Sequence, residues 1–464
     1  MSDSSGNGAL PPPPAPRDLG TLRTCIDSVD TQLVSLLNER SRLVMEVGKR
    51  KVLDGSPVYA PHREQAVLAK VLSLNKGPTL DITIETIWRE IMSGSFALER
   101  PLRIGYLGPP GSYSHDAAVK QFGTSVSYED LRVIQGVFEE VSRGNVDYGL
   151  VPVENSIIGL VGETLDAFLA CVDRVAVCSE VQLSVAHALI TSPGAVPSDV
   201  REVRSKPEAL AQCRKWLSTQ YPAAALVPYP SSSAAVASIA SAFEGGGLAA
   251  SRHLAAVGSP LAARLYDLPP LFTDIQDVSP NVTRFLVLCS KKSANATMGA
   301  PSGQDKTSLL LVLEDSAGSL CSVLEVFRAA GVNLTHIDKR TCSQTQLAWL
   351  VSVADHASSN APSPPPEASA AEEAGGGGGS GGSSGSSSSS SSSASAMEGL
   401  APSLLVASMA GGKGGKPPAL NWVFFLECEG HISEPAMAKA VREAGQRSRL
   451  LKVLGSFPAA RRVL

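Results

Sequence analysis

The chain has 464 residues, 43% of them hydrophobic, and a formal net charge of -4. That length suggests about three domains, and the near-neutral balance gives no basis for nucleic acid or an anionic membrane as partner. No apolar run approaches the roughly 20 residues of a membrane span. The eight cysteines contain no C-x-x-C pair, which argues for reduced thiols in a cytosol-like compartment and against a metal site.

Residues 1–17 are rich in Ser, Gly and Pro and lack the basic-then-apolar order of a secretory signal, so a disordered tail is expected. Residues 18–54 predict one long helix. Asp18 can cap it, and Leu22, Ile26, Val29, Leu33, Leu36, Leu37, Leu43, Val44 and Val47 recur at three- and four-residue intervals. Gly55-Ser56-Pro57 stops it, and further helices are expected over 62–74 and 80–98. From Leu102 the texture becomes strand, Gly-rich turn, helix, strand over about 190 residues, which argues for an α/β domain. Thr307 opens a smaller unit of strand, helix at 320–330 and strand at 333–337. A Gly/Ser tract interrupts it at about 355–418, and it resumes with a strand at Trp422, a helix near 434–446 and a closing strand at Leu450. Such a tract buries too little apolar surface to offset its ordering entropy, so it is read as a disordered insertion in a surface loop.

Three groups of residues carry chemistry. Arg40 and Lys51 sit eleven residues apart on the long helix, about 16 Å along its axis and on nearly one face, so both can reach one small dianion. Arg23 lies about 42 Å from Lys51 and can join that pocket only from a second chain. In the α/β region, Gly105-Tyr-Leu-Gly-Pro-Pro-Gly-Ser-Tyr-Ser114 leads from a strand into a helix, a layout that suits a carboxylate, and it lacks the Gly-Lys-Ser/Thr of a nucleotide loop. Val151-Pro-Val-Glu-Asn155-Ser156 and Ser205-Lys-Pro-Glu-Ala-Leu-Ala-Gln212 bunch polar residues at strand and helix ends. Thr283-Arg284-Phe285 enters an apolar strand from a turn and sets a neutral hydroxyl donor beside an anion clamp.

Leu22-Arg-x3-Asp27-x2-Asp30, Leu36-Leu-Asn-Glu-Arg40, Val47-Gly-Lys-x-Lys51 and Arg63-Glu64 together resemble the all-helical chorismate mutases over about 18–100. The resemblance implies an intertwined dimer. It implies that Arg23 of a partner, Arg40 and Arg63 hold the substrate carboxylates, that Lys51 and Glu99 donate to the ether oxygen, and that Glu64 holds the ring hydroxyl. Ala60 stands where many relatives carry aspartate. Glu99 takes a position often held by glutamine, and a carboxyl there donates only when protonated, which favours lower pH.

The Gly105, Asn155, Ser205 and Ile275-Gln-Asp277-x3-Asn281-x-Thr283-Arg284-Phe285 segments resemble prephenate dehydratase over 102–292, with Lys206 in place of a usual histidine. That family implies a periplasmic-binding-protein-like pair of α/β lobes, the second over about 181–272. It implies Thr283 as hydrogen-bond donor or acid at the leaving hydroxyl and Arg284 on a substrate carboxylate. Ser114, Asn155, Ser156, Ser205, Gln212 and Phe285 would line the cleft. Residues 306–464 resemble ACT regulatory domains, of α+β ferredoxin-like fold, through Lys306-Thr-Ser-Leu, Gly331-Val-Asn-Leu-Thr and Leu451-Lys-Val-Leu-Gly-Ser-Phe-Pro458. The phenylalanine-sensing segments of that family read here as Gly318-Ser-Leu320-Cys and Asp338-Lys-Arg340-Thr.

The expected enzyme is therefore multidomain and bifunctional. It converts chorismate to prephenate and prephenate to phenylpyruvate, with phenylalanine as effector, no cofactor and no metal. It is expected to be a homodimer or a higher homo-oligomer, cytoplasmic, with a plastid location left open. Two rivals stay open at this point: a dehydratase that prefers arogenate, and a non-catalytic ligand-binding sensor.

Overall fold

The computed structural model describes residues 18–292, 299–343, 346–350, 352 and 421–460. The expected tail at 1–17 and the expected insertion at 355–418 lie outside the described residues. No helix among the described residues is long and apolar enough to cross a membrane.

Three helices come first: α1 (Leu19–Asp54), α2 (Pro61–Leu74) and α3 (Asp81–Glu99). The Asp18 side chain accepts from Thr21 N at the start of α1, and Gly55 ends it in the left-handed conformation at φ 66°, which a residue with a Cβ adopts at a cost. Asp18 is held below the usual carboxylate range, chiefly by its bond from the Thr21 hydroxyl.

The first α/β lobe comprises β1 (Arg103–Leu107), α4 (Tyr113–Phe122), β2 (Ser127–Leu131), α5 (Ile134–Arg143), β3 (Tyr148–Asn155), β4 (Gly159–Leu160), α6 (Gly162–Cys171) and β5 (Val175–Ser184). The chain then crosses to a second lobe of β6 (Ala188–Thr191), β7 (Glu202–Ser205), α7 (Pro207–Gln212), α8 (Arg214–Gln220), β8 (Ala225–Pro228), α9 (Ser232–Ser251), β9 (Leu254–Gly258), α10 (Pro260–Leu265) and β10 (Pro270–Phe272). It returns as β11 (Val282–Ser290), which lies antiparallel between β3 and β5. The first sheet has the order β2-β1-β3-β11-β5 with β4 on β3, and the second β10-β6-β9-β7-β8. Two connections, 185–187 and 273–281, therefore join the lobes.

The remaining elements are β12 (Asp305–Val312), α11 (Ser319–Ala329), β13 (Leu334–Cys342), β14 (Asn421–Glu429), α12 (Pro435–Gln446) and β15 (Leu450–Pro458). They form a four-stranded sheet ordered β13-β14-β12-β15, whose two helices pack over one core. Strand β13 runs five residues past the expected end at 337, because its residues alternate between more and less exposed positions rather than forming an apolar run. The stretch from Cys342 to Asn421 clusters as a unit apart, described only near its ends.

The helical part and the first lobe share one core. Tyr59, in the α1–α2 connection, is 1% exposed. Its ring stands 4.9 Å from both Phe122 and Tyr148 and 6.0 Å from Phe96, and its hydroxyl takes a hydrogen bond from Gln121 Nε2 at 2.6 Å. Burying an aromatic ring with its polar tip satisfied is a strong anchor.

Two candidate active sites

The first site lies where α1 meets α3. Gly48 is the buried residue of α1, and a Cβ there would lie 3.1 Å from Glu99 Cα. This close approach lets side chains on either side of Gly48 engage α3. Arg40 Nη1 donates to Ser95 Oγ at 2.7 Å, and Lys51 Nζ donates to Glu99 Oε2 at 2.8 Å and to the Val58 carbonyl at 2.9 Å. Ser95 and Glu99 are one helical turn apart and so share a face. An ammonium has three protons, so Lys51 keeps one for a ligand. Burial lowers the pKa of Arg40, against the pull of Glu99.

Glu64, near the start of α2, is buried. Its Oε2 accepts from Arg89 Nη1 at 2.9 Å, while its Oε1 has no hydrogen-bond partner among the described residues. Burial raises its pKa to about 7, with Arg89 opposing the rise. Arg63 is exposed beside it, and Arg23 is exposed on the first turns of α1. The structure thus brings Arg40, Lys51 and Glu99 together and leaves Arg23 outside that group. Glu99 accepts from Lys51. Ser95 and Arg89 are partners the sequence reading missed; Ser95 was detectable as the residue four before Glu99 on the same helix.

The second site lies on the two lobe connections and is a chain of hydrogen bonds whose directions can be fixed. Asn155 ends β3, and its Oδ1 accepts from Ile157 N and Ile158 N at 3.0 Å each, a side-chain turn that asparagine favours. Its Nδ2 must then donate, and it does so to Asn281 Oδ1 at 2.8 Å and to Thr283 Oγ1 at 2.9 Å. Asn281 Nδ2 in turn donates to Gln212 Oε1 at 3.0 Å. That carbonyl oxygen can only accept, so His187 Nε2, 2.7 Å from it, carries a proton. Burial lowers the pKa of His187, with the Gln212 bond opposing. In the neutral ring Nδ1 is an acceptor, and the Tyr113 hydroxyl, 2.6 Å from it and 3.0 Å from the Ala186 carbonyl, has one proton for the two. At the other end, Thr283 receives a hydrogen bond on Oγ1, and its own proton has no acceptor among the described residues. The site therefore holds one half-buried hydroxyl with its proton free.

The other expected site residues have structural contacts of their own. Ser156 ties the strand ends, donating from N to Val282 O at 2.9 Å and accepting at Oγ from Val282 N at 3.0 Å. Ser114 is buried in the first turn of α4. Phe285 is 1% exposed and belongs to the core of the first lobe rather than to an open cleft. Ser205 is fully buried, and its hydroxyl donates to the Val257 carbonyl at 2.6 Å, so it fastens β7 to β9 instead of lining the cleft.

Arg284 is the main correction. Neighbours on a strand face opposite ways, and the guanidinium points away from Thr283 to Glu180 Oε2 at 2.7 Å and to Glu427. Its Nε and Nη2 are engaged by protein carboxylates rather than turned towards Thr283. Burial disfavours its charge, but Glu427 and Glu180 outweigh burial and raise its pKa.

In the C-terminal fold, Gly318 precedes α11 at φ 89°, and Leu320 packs on the core. Asp338 pairs with His336. Arg340 binds Asp166 of α6 through Nε at 2.9 Å and Nη2 at 2.7 Å. His187, Tyr113 and Asn281 are functional candidates without a role in the sequence reading; Asn281, two residues before Thr283, was visible in the motif, while the pairing of His187 with Gln212 is non-local.

A helical unit with converged cations, followed by two lobes joined through an ordered polar chain, defines an enzyme of small acidic substrates. Family models for chorismate mutase type II and prephenate dehydratase match residues 22–100 and 104–293. A bifunctional chorismate mutase/prephenate dehydratase from Stutzerimonas stutzeri is 32% identical over 95% of this chain and 98% of its own length. One from Aquifex aeolicus is 32% identical over 96% and 98%. The crystal structure of a prephenate dehydratase from Arthrobacter aurescens in complex with L-Phe is 22% identical, with a TM-score of 0.55 over 77% of this chain and 90% of that one, and so shares the fold. The chain belongs to the family of bifunctional chorismate mutase/prephenate dehydratases.

Proposed function

We propose that Lys51 and Thr283 are the working groups of the family's two consecutive reactions in this chain. In the first, chorismate is held folded and rearranges to prephenate, a step that needs no nucleophile, only orientation and a donor at the oxygen that gains charge. Lys51, with Val58 and Glu99 occupying two of its protons, offers the third to that oxygen. Glu99 assists as a second donor only when protonated. Arg40 and Arg63 hold carboxylates, and Glu64 holds the ring hydroxyl.

Arg23 completes the pocket from a second chain. What supports this is the exposure of α1, on which Leu22, Ile26, Val29, Leu33, Leu36 and Leu37 stand open to solvent on one copy. Apolar stripes of that length call for a covering partner, and a dimer through α1 would cover them.

In the second reaction, prephenate loses carbon dioxide and hydroxide. The electron pair of the breaking C–C bond enters the ring as the C–O bond breaks, and the departing oxygen takes a hydrogen bond or proton from Thr283. The observation that carries this reading is the donor direction at Asn155, which occupies Oγ1 as an acceptor and leaves the Thr283 proton without an acceptor among the described residues. With Arg284 engaged elsewhere, the substrate carboxylates fall to the first-turn N–H groups of α4 at Tyr113 and Ser114, which have no acceptor among the described residues.

The four-stranded C-terminal sheet is read as an ACT domain with phenylalanine as effector, in line with the ligand named for the Arthrobacter aurescens dehydratase. The test supplies chorismate, prephenate and arogenate separately to the full chain and follows each by NMR. Prephenate and then phenylpyruvate should form from chorismate. Turnover of arogenate alone would move the second reaction to that substrate, and turnover of none would leave a binding protein.

A further inference from the structure

Arg284 is one residue from Thr283, yet its side chain leads out of the two lobes. Its Nε bonds Glu180 Oε2 at 2.7 Å, its Nη2 bonds Glu427 Oε1, and its Nη1 lies 3.8 Å from Glu154 Oε2. Lys306 Nζ closes the group on Glu180 Oε1 at 2.9 Å, and Ser308 Oγ donates to Glu427 Oε1 at 3.2 Å. The Glu180 side chain is fully buried, and those of Arg284 and Glu427 are 10% exposed. Glu180 belongs to β5, Lys306 and Ser308 to β12, and Glu427 to β14. A buried ionic group thus fastens the strand that carries Thr283 to the C-terminal sheet.

Two further observations give that link a purpose. The pairing of β11 with β3 slips beside Arg284: Thr283 faces Asn155 and Arg284 faces Glu154, but Phe285 faces Pro152. A bulge disrupts the local ladder, and proline has no N–H to give, so backbone pairing on this side is interrupted between Arg284 and Phe285, while Ser156 closes the strand end beyond it. The C-terminal sheet also presses directly on the first. A Cβ on Gly455 of β15 would lie 2.0 Å from the Val177 carbonyl of β5, so only glycine permits this approach.

We propose that Glu427 is a positioning residue for the dehydratase reaction: by gripping Arg284 across the interface, the C-terminal sheet sets the strand end that presents the Thr283 hydroxyl. This rests on the dehydratase reading. The grip acts through Arg284 and touches no substrate. Truncating it displaces a hydroxyl whose usefulness depends on its place, where a shift of about 1 Å costs on the order of a hundredfold.

The test is steady-state kinetics of the full chain with prephenate and, separately, with chorismate. Glu427→Gln, which keeps the shape and removes the charge, should lower kcat for prephenate by about ten- to a hundredfold. KM should stay within about twofold, the mutase rate of the same chain should not change, and Glu427→Asp should recover part of the loss. Adding Glu427→Gln to Arg284→Lys should cost less than the product of the two single losses, because both act through one contact. An unchanged kcat overturns the proposal. So does a rise in KM at constant kcat, which would place the group on the substrate, and so do fully independent effects of the two substitutions. Should Glu427→Gln fail to fold, Ser308→Ala removes only the hydroxyl that steadies Glu427; a severalfold fall in kcat at constant KM supports the proposal, and none overturns it. A wild-type chain that turns over no prephenate would sink the dehydratase reading itself before any variant is compared.

Discussion

Glu64 illustrates how much a single burial decides. Its carboxyl has an ordinary value of 4.5 and is pushed to about 7 in the fold, because desolvation outweighs the help from Arg89. Between those two values the folded chain binds more protons at Glu64 than the unfolded chain does. By linkage, its contribution to stability is therefore lost as pH rises from about 4.5 through 7, by up to about 3 kcal/mol. Melting temperatures of wild type and Glu64→Gln should accordingly diverge in their pH dependence from 5 to 8, the wild type falling more steeply. Parallel curves would contradict the assignment. At Thr283 the decisive fact is equally local, since two backbone amides orient Asn155, and Asn155 orients the threonine. The motif signalled which residues would gather there but not which way each would point. Arg284 could have been assigned better from the sequence, since strand alternation alone separates it from Thr283. What alternation could not supply was Glu427, which lies 143 residues further along the chain.

Elements were more legible than faces. The bounds of α1 follow from Asp18 and Gly55, and those of α2 and α3 fall within a residue or two of expectation, because caps and stops are written locally. Ser205 and His187 were not legible in this way: each answers to a partner on a distant strand or connection, and a one-dimensional pattern holds no record of it. The long helix carries the next prediction. Arg23 and Lys51 share one straight helix of 36 residues, about 54 Å long, so one chain cannot bring both to one substrate. Lys51→Ala should abolish the rearrangement while leaving dehydration of supplied prephenate near normal, and Arg23→Ala should do the same. Refolding the two inactive variants together should restore mutase activity, since one site of a mixed dimer then has both cations. A verified mixed dimer without recovered activity would place Arg23 outside the site.

At the scale of the whole molecule, the helical unit and the first lobe are joined by a common core rather than by a loose tether. Tyr59 touches both, and its loss leaves a cavity among Phe96, Phe122 and Tyr148. Tyr59→Ala should cost about 3–5 kcal/mol, lowering the melting temperature by several degrees and weakening both activities together. A stable variant impaired in only one reaction would show that the two units are independent. The C-terminal sheet is tied in as well, through Arg284 with Glu427 and through Arg340 with Asp166. The helical unit, the first lobe and the C-terminal sheet are thus closely packed, with the strand that carries Thr283 in contact with the C-terminal sheet through Arg284.

The account stands on Thr283 as the group that eases the leaving hydroxyl away. The most direct measurement gives chorismate to the Thr283→Ala chain and follows the products with time. Prephenate should accumulate at the wild-type mutase rate with almost no phenylpyruvate, and Thr283→Ser should restore part of the second step. Phenylpyruvate formed by Thr283→Ala at the wild-type rate would contradict the account.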